Sequence, residues 1–368
     1  MQSSGTPVQE SHMIFSSDNQ ACASQQVMES ILEANRGFAR GYGDDEWSKR
    51  ATDELRRVFE CDLEAHFVAT GTAANCLALS CLAQPWETIL CHACAHILVD
   101  ESTAPEFFTG GARMLAISQG DGKLSADHMQ DYFRYARADF PHNSQAGALS
   151  ITQATEAGLV YTPEEIGAIS KLCKEKGLNI HMDGARFANA LVALDCTPAE
   201  LTWKSGVDVL CLGATKCGAL CAEAVIFFDR TLCKEFAERR KRSGHLVSKG
   251  RLFGAQFVGW LRDDHWLDLA RLANSQAAQL HNCISTFEEI QIVWPVQSNQ
   301  IFAIMPGDLA AGLQKAGAEF YDWSPEALPK GIRIGADEVF VRLVTSFLST
   351  DEDCMEFSRH IGECLSKR

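Results

Sequence analysis

Short apolar runs alternate with stretches of helical spacing through the middle of the chain. "AHFVAT" (65–70) reads as a strand leading into the small, apolar helix "GTAANCLALSCLA". "ETILCH" is a second strand, and "SADHMQDYFRYARAD" an amphipathic helix followed by the strand "GALSIT". In "TPEEIGAISKLCKEKG", Thr162 is placed as N-cap, Pro163 at the first helical position and Glu165 three residues past the cap. Gly177 closes that helix. "LNIHM" (178–182) and "VDVLCLG" (207–213) are continuous apolar runs of the buried-strand kind, followed by "AEAVIFF". Strands separated by helices predict βαβ units and a mainly parallel sheet covered on both faces.

After about residue 254 the pattern changes. One long helical tract, roughly 255–285, leads to the strands "IQIVWP", "QIFAIMP" and "VFVRLVTSF", and then to a last helix capped by Thr350. Strands with one exposed face and helices on one side predict a smaller α+β unit. The expected organisation is therefore a disordered segment 1–12, a large α/β domain 13–253 and a small C-terminal α+β domain 254–368.

Composition narrows the function classes. With 46% hydrophobic and 22% charged residues over 368 positions, the chain is an ordinary globular sequence able to bury a large core. A formal net charge of −15 argues against nucleic acid as partner, because phosphate binding relies on Lys and Arg releasing counterions. The basic run "ERRKRSGHLVSKGR" (238–251) reads first as a solvated helix face. Fifteen cysteines, odd in number and set in apolar runs, read as small buried hydrophobes in a reducing compartment. No run is long enough to cross a bilayer, and the polar start "MQSSGTPVQESHM" carries no secretory pattern, so a cytoplasmic location is expected.

Candidate chemistry falls at strand ends, where open α/β sheets bind ligands. Gly71 and Thr72 end a strand and open a helix, where free N–H groups and the helix dipole suit a phosphate. Asp183 follows "LNIHM". Lys216 follows "VDVLCLG" and stands alone among Gly213, Ala214, Gly218 and Ala219. A phosphate cradle, a carboxylate and a lysine together describe a pyridoxal phosphate site. The lysine supplies the Schiff base, the aspartate keeps the pyridine nitrogen protonated, and desolvation favours the neutral amine.

"HMDGARFANALVAL" and "VDVLCLGATKCGALCAEAVIFFD" resemble the threonine aldolases, within the aspartate-aminotransferase-type fold of pyridoxal phosphate enzymes (fold type I). The resemblance extends, in order, to "FSSDN", "GYGDDEWSKRATDELRRVF", "VATGTAANCLAL", "AHILVDE", "RSGHLVSKGRLFGAQ" and "RLVTSF". It implies that Lys216 carries the cofactor, Asp183 holds the ring nitrogen, Gly71 and Thr72 bind phosphate, and Thr215 adds a hydroxyl. Arg186 and Arg342 would hold the substrate carboxylate, with Ser17 helping. Arg242 and Lys249, with Arg251 in reserve, would reach a neighbouring subunit's phosphate across a dimer interface. A homotetramer with shared sites is implied.

His96 would stack on the pyridine face and handle the proton of the β-hydroxyl. The cluster "CHACAH" is too tightly spaced for a known zinc site, so no metal is expected. Many threonine aldolases carry a histidine after the strand that here reads "LSITQATEAG", where this chain has Thr155 and Glu156. His245 reads as an ordinary loop histidine or as a substitute for that base. The implied activity cleaves the Cα–Cβ bond of a β-hydroxy-α-amino acid to glycine and an aldehyde. A β-eliminating lyase, an aminotransferase or a racemase would use the same Lys and Asp. A non-catalytic module of the same fold is the rival from another class.

Overall fold

The computed structural model describes residues 13–136 and 140–367, so the expected disordered segment 1–12 lies outside the described residues. Seven strands form the main sheet: β1 (Glu64–Val68), β2 (Thr88–His92), β3 (Arg113–Ser118), β4 (Ala146–Thr152), β5 (Asn179–Gly184), β6 (Val209–Gly213) and β7 (Glu223–Phe227). Their order across the sheet is β1-β7-β6-β5-β4-β2-β3. Neighbours from β6 to β3 are parallel, whereas β7 runs antiparallel to both β6 and β1. Only residues 214–222 join β6 to β7, too few for the crossover that a parallel pair requires.

Side chains alternate across this sheet and feed two cores. Val209 and Cys211 join Val68, Ile89 and Phe227 on one face. Leu210 and Leu212 join Leu149, Ile180 and Met182 on the other. The helix Gly71–Leu82 is apolar on nearly every side because it lies wholly inside, against the first of these faces. At Thr162 the reciprocal capping box forms, and Gly177 ends that helix with φ 73°.

The expected helical tract 255–285 is two helices, Arg251–Leu261 and His265–Ile284. Asp263 and Asp264 break it with φ 55° and 56°, left-handed values that aspartate tolerates better than most residues. Phe253, Phe257 and Trp260 of the first helix pack into the large core.

A second sheet, β8 (Gln291–Ile292), β9 (Gln300–Pro306), β10 (Tyr321–Asp322) and β11 (Glu338–Val344), is antiparallel in the order β10-β11-β9-β8. Its core contains Leu280, Ile301, Ala303, Leu343 and Phe357, together with Met13 and Phe15 from the start of the described chain. Phe15 is tied in at both ends: its N–H donates to Glu319 and its carbonyl accepts from Val344, each at 2.8 Å. That anchorage delivers Ser16, Ser17 and Asp18 to the residues at the carboxyl ends of the main sheet.

Candidate active site

The carboxyl ends of β1, β2, β4, β5 and β6 lie at one end of the main sheet, and the polar residues singled out above gather there. After β1, Thr70 caps the helix Gly71–Leu82 by accepting the Ala73 N–H. The N–H groups of Gly71 and Thr72 have no intrahelical acceptor, and a Cβ on Gly71 would meet nothing within 4 Å. The helix start thus combines free donors with an open flank at Gly71.

Asp183 ends β5 and is buried. One carboxylate oxygen accepts the Ala185 N–H at 3.0 Å, and the other accepts the Asn75 amide at 2.9 Å. The same amide nitrogen donates to Glu101 at 2.9 Å, and Glu101 Oε1 lies 2.8 Å from His96 Nδ1. A continuous polar chain therefore runs from His96 through Glu101 and Asn75 to Asp183. The Glu101 side chain is 0% exposed, whereas that of His96 is 39% exposed, so one end is fixed in the core and the imidazole opens into the site. The bond from Glu101 raises the His96 pKa, against burial, with Asp183 adding to the rise.

His96, Glu101 and Asp183 offer potential metal-ligand atoms within 4.8 Å of one another. The Asn75 amide donates into both carboxylates, occupying lone pairs that a cation would need. His92 is a separate case. It is buried, accepts the Cys94 N–H at 3.1 Å and is kept neutral by burial, its pKa lowered to about 4.

Lys216 lies on the short turn Thr215–Cys217 after β6. Gly213 makes that placement possible, since a Cβ there would sit 2.9 Å from the Ala185 Cα and 3.0 Å from Glu223 Oε2. The chain after β6 thus approaches the chain after β5 closely. Burial, and then the charge of Arg186, lower the Lys216 pKa, against the pull of Asp18, Asp183 and Glu223. The amine takes no hydrogen bond or ion pair among the described residues. Thr215 turns away from it: its hydroxyl donates to Glu223 at 2.5 Å and accepts the Ala222 N–H at 3.2 Å. Burial raises the Glu223 carboxyl toward about 7.

Arg186 is gripped by Asp18, with Nε–Oδ2 and Nη2–Oδ1 both at 2.8 Å, and Asn299 donates to the same carboxylate at 3.0 Å. Ser17 caps the turn Asp18–Gln20 that presents this aspartate. Arg342, on β11, stacks 3.9 Å from the Trp323 ring centre and donates weakly to the Ser16 carbonyl at 3.4 Å. Its Nε is buried without a partner. Burial and Arg186 lower its pKa to about 10. One guanidinium is thus already neutralised, and the other has no ion pair among the described residues.

Arg242 and Lys249 are exposed and bond to none of these side chains. Arg251 donates to the Gly37 carbonyl at 3.4 Å. His245 Nδ1 accepts the Ala69 N–H at 3.5 Å, beside the Thr70–Gly71 turn. Sequence reasoning passed over Asn75, Glu101, Asp18, Asn299 and Glu223. Asn75 is a lone amide in an apolar helix, one turn after Gly71, and that was the one signal available.

The sequence profile of the beta-eliminating lyases matches residues 15–306. The chain is 44% identical to the low specificity L-threonine aldolase of Pseudomonas sp. (strain NCIMB 10558), over 83% of this chain and 88% of that protein. The chain belongs to the threonine aldolase family of beta-eliminating lyases. It is also 43% identical to the low specificity L-threonine aldolase of Pseudomonas aeruginosa, over 85% of this chain and 90% of that one. The solved threonine aldolase of Leishmania major superposes with a TM-score of 0.87 at 28% identity, covering 95% of this chain and 98% of the other. The family's fold is the one expected, the aspartate-aminotransferase type of pyridoxal phosphate enzymes, with a mostly parallel seven-stranded sheet and a small antiparallel one.

Proposed function

We propose that this chain is a pyridoxal phosphate-dependent aldolase. It cleaves the Cα–Cβ bond of L-threonine, L-allo-threonine or a related β-hydroxy-α-amino acid to glycine and an aldehyde. The observation that carries the reading is the placement of Lys216, half-buried and without a hydrogen bond or ion pair among the described residues, and of Asp183 at neighbouring strand ends, with the helix start at Gly71 at the same end of the sheet. The residues suit the cofactor chemically. Gly71 and Thr72 offer donors for a phosphate, Asp183 an anion for a pyridinium, and Lys216 an amine that burial shifts toward its neutral, nucleophilic form.

When bound, pyridoxal phosphate supplies an electron sink for the bond that breaks. The protein does the rest. Arg342 pairs with the substrate carboxylate, and Arg186, held in plane by Asp18, orients that carboxylate with help from Ser17. His96, aligned by Glu101, covers the open face of the site. Arg242 and Lys249 lie exposed and outside this cluster, which suits a role in a neighbouring subunit's site and hence a homo-oligomer, dimer or tetramer. All fifteen cysteines are free, in keeping with a reducing cytoplasmic setting. No helix among the described residues is long and apolar enough to cross a membrane.

The test is product analysis. Holoenzyme given L-threonine, L-allo-threonine or phenylserine is expected to release glycine and the matching aldehyde. 2-Oxobutyrate from the threonines, or phenylpyruvate from phenylserine, with ammonia and no glycine would instead identify an eliminating lyase. Turnover only with a keto-acid acceptor would identify an aminotransferase.

A further inference from the structure

The β-hydroxyl of the substrate must lose its proton as the Cα–Cβ bond opens, and the histidine expected after β4 is absent. The structure places a carboxylate there. Glu156 Oε1 accepts two hydrogen bonds at 2.9 Å, one from the His96 N–H and one from the Thr152 hydroxyl. Both bonds fall on one oxygen. Among the described residues, Oε2 takes no hydrogen bond from another residue's side chain.

Burial along this loop is uneven in a telling way. Gln153, Ala154, Thr155 and Ala157 are buried, whereas Thr152 and Glu156 are half-buried although they sit deep in the fold. Thr152 is the register partner of Asp183 across β4 and β5, and Glu156 is held against the backbone of His96. Thr155 cannot serve instead, because its hydroxyl accepts the N–H groups of Ala157 and Leu159.

We propose that Glu156 is the catalytic base that removes the substrate's β-hydroxyl proton. This rests on the aldolase reading. The proton passes from the hydroxyl to Glu156 Oε2 as the C–O bond becomes C=O. The Cα–Cβ bond breaks and the aldehyde departs, the bonding pair going to the electron sink that bound pyridoxal phosphate would supply. A proton returned to Cα then completes glycine, so one proton is removed and one restored. The Nδ1 of His96 is engaged by Glu101, a bond that favours the protonated ring. Burial, the first of its influences, raises the Glu156 carboxyl above the ordinary range, and Asp183 adds to the rise. A carboxylate raised in this way is a stronger base than an exposed one.

Glu156→Gln and Glu156→Asp test the assignment. Three readings are taken on each holoenzyme: the visible band of the bound cofactor, exchange of glycine α-protons with heavy water followed by NMR, and threonine cleavage against pH. Glycine has no β-hydroxyl, so its exchange does not need this base. The expected result for E156Q is an unchanged band, glycine exchange near the wild-type rate, and cleavage slower by about 10²- to 10⁴-fold with the acid limb of the pH profile lost. E156D keeps a carboxylate and is expected to recover part of the rate and the limb. Cleavage by E156Q within about three-fold of wild type overturns the proposal. So does an equal loss of glycine exchange and cleavage, which marks a structural role. If E156Q does not hold the cofactor, E156D decides: cleavage reduced by about ten-fold or more with glycine exchange kept supports the base, and both unchanged overturns it. Wild-type protein that neither exchanges glycine nor cleaves threonine refutes the aldolase reading itself, a failure visible before any variant is made.

Discussion

Replacing Asp18 by asparagine removes the charge that neutralises Arg186 while keeping the side chain's shape. Asp18 is 2% exposed and the Arg186 side chain 10%, so neither is screened much by water. With both contacts at 2.8 Å the charge centres lie about 4 Å apart, worth about 4 kcal/mol at the effective dielectric suited to protein sites. The asparagine carbonyl still accepts one of the two guanidinium bonds, worth about 1 kcal/mol. The expected loss is about 3 kcal/mol, at the low end of the range for breaking one side of a buried ion pair. Urea unfolding of the apoprotein, on the parent, D18N, R186Q and the double variant, measures it. The double variant is expected to lose less than the sum of the two singles, because the second change removes the group that the first left stranded. A D18N protein within about 0.5 kcal/mol of the parent, or strict additivity in the cycle, would refute the reasoning. The pH dependence has a definite sign. Burial raises the Asp18 pKa, but the charges of Arg186 and Lys216 and the bonds from Arg186 and Asn299 bring it below the ordinary aspartate range. Its contribution is therefore present above about pH 4 and is lost in stronger acid.

Two further predictions concern the carboxylates that sequence reasoning passed over. Glu101→Gln is expected to lower the His96 pKa, read from the imidazole C–H resonances of the apoprotein; an unmoved resonance would mean that Glu101 does not set the protonation of that ring. Glu223 titrates at a raised pKa in the folded chain, so the unfolded chain releases its proton first and stability from this group falls between about pH 4.5 and about 7. Relative to Glu223→Gln, the parent apoprotein should lose stability across that interval as pH rises, and parallel curves for the two proteins would count against the buried acid.

Some of this site was legible in the sequence and some was not, for physical reasons. Lys216, Asp183 and the Gly71–Thr72 turn each stand where an apolar run stops, and strand ends are where the fold must present ligands. The residues that support them carry no such local mark. Asn75 sits within a helix whose other residues are small or apolar. Glu101 reaches its partners only because a chain of short turns folds back after β2. The pairing of Asp18 with Arg186 joins positions 168 residues apart, and Asn299 comes from the bend just before β9. Architecture follows the same division. The buried strands β5 and β6 show as continuous apolar runs. The edge strand β3 is short and mixes exposed, half-buried and buried positions without a clean alternation, and it escapes notice. The break at Asp263 and Asp264 interrupts no apolar periodicity, since aspartate in the left-handed region ends one helix and begins the next within three residues.

The central claim is that Lys216 carries pyridoxal phosphate. Reconstituted protein, reduced with borohydride, digested and mapped by mass spectrometry, fixes the cofactor to whichever amine held it. The account predicts one pyridoxyl group per chain on the peptide containing Lys216, and none in Lys216→Ala. A label on another lysine, or no stable label on correctly folded protein, would contradict it.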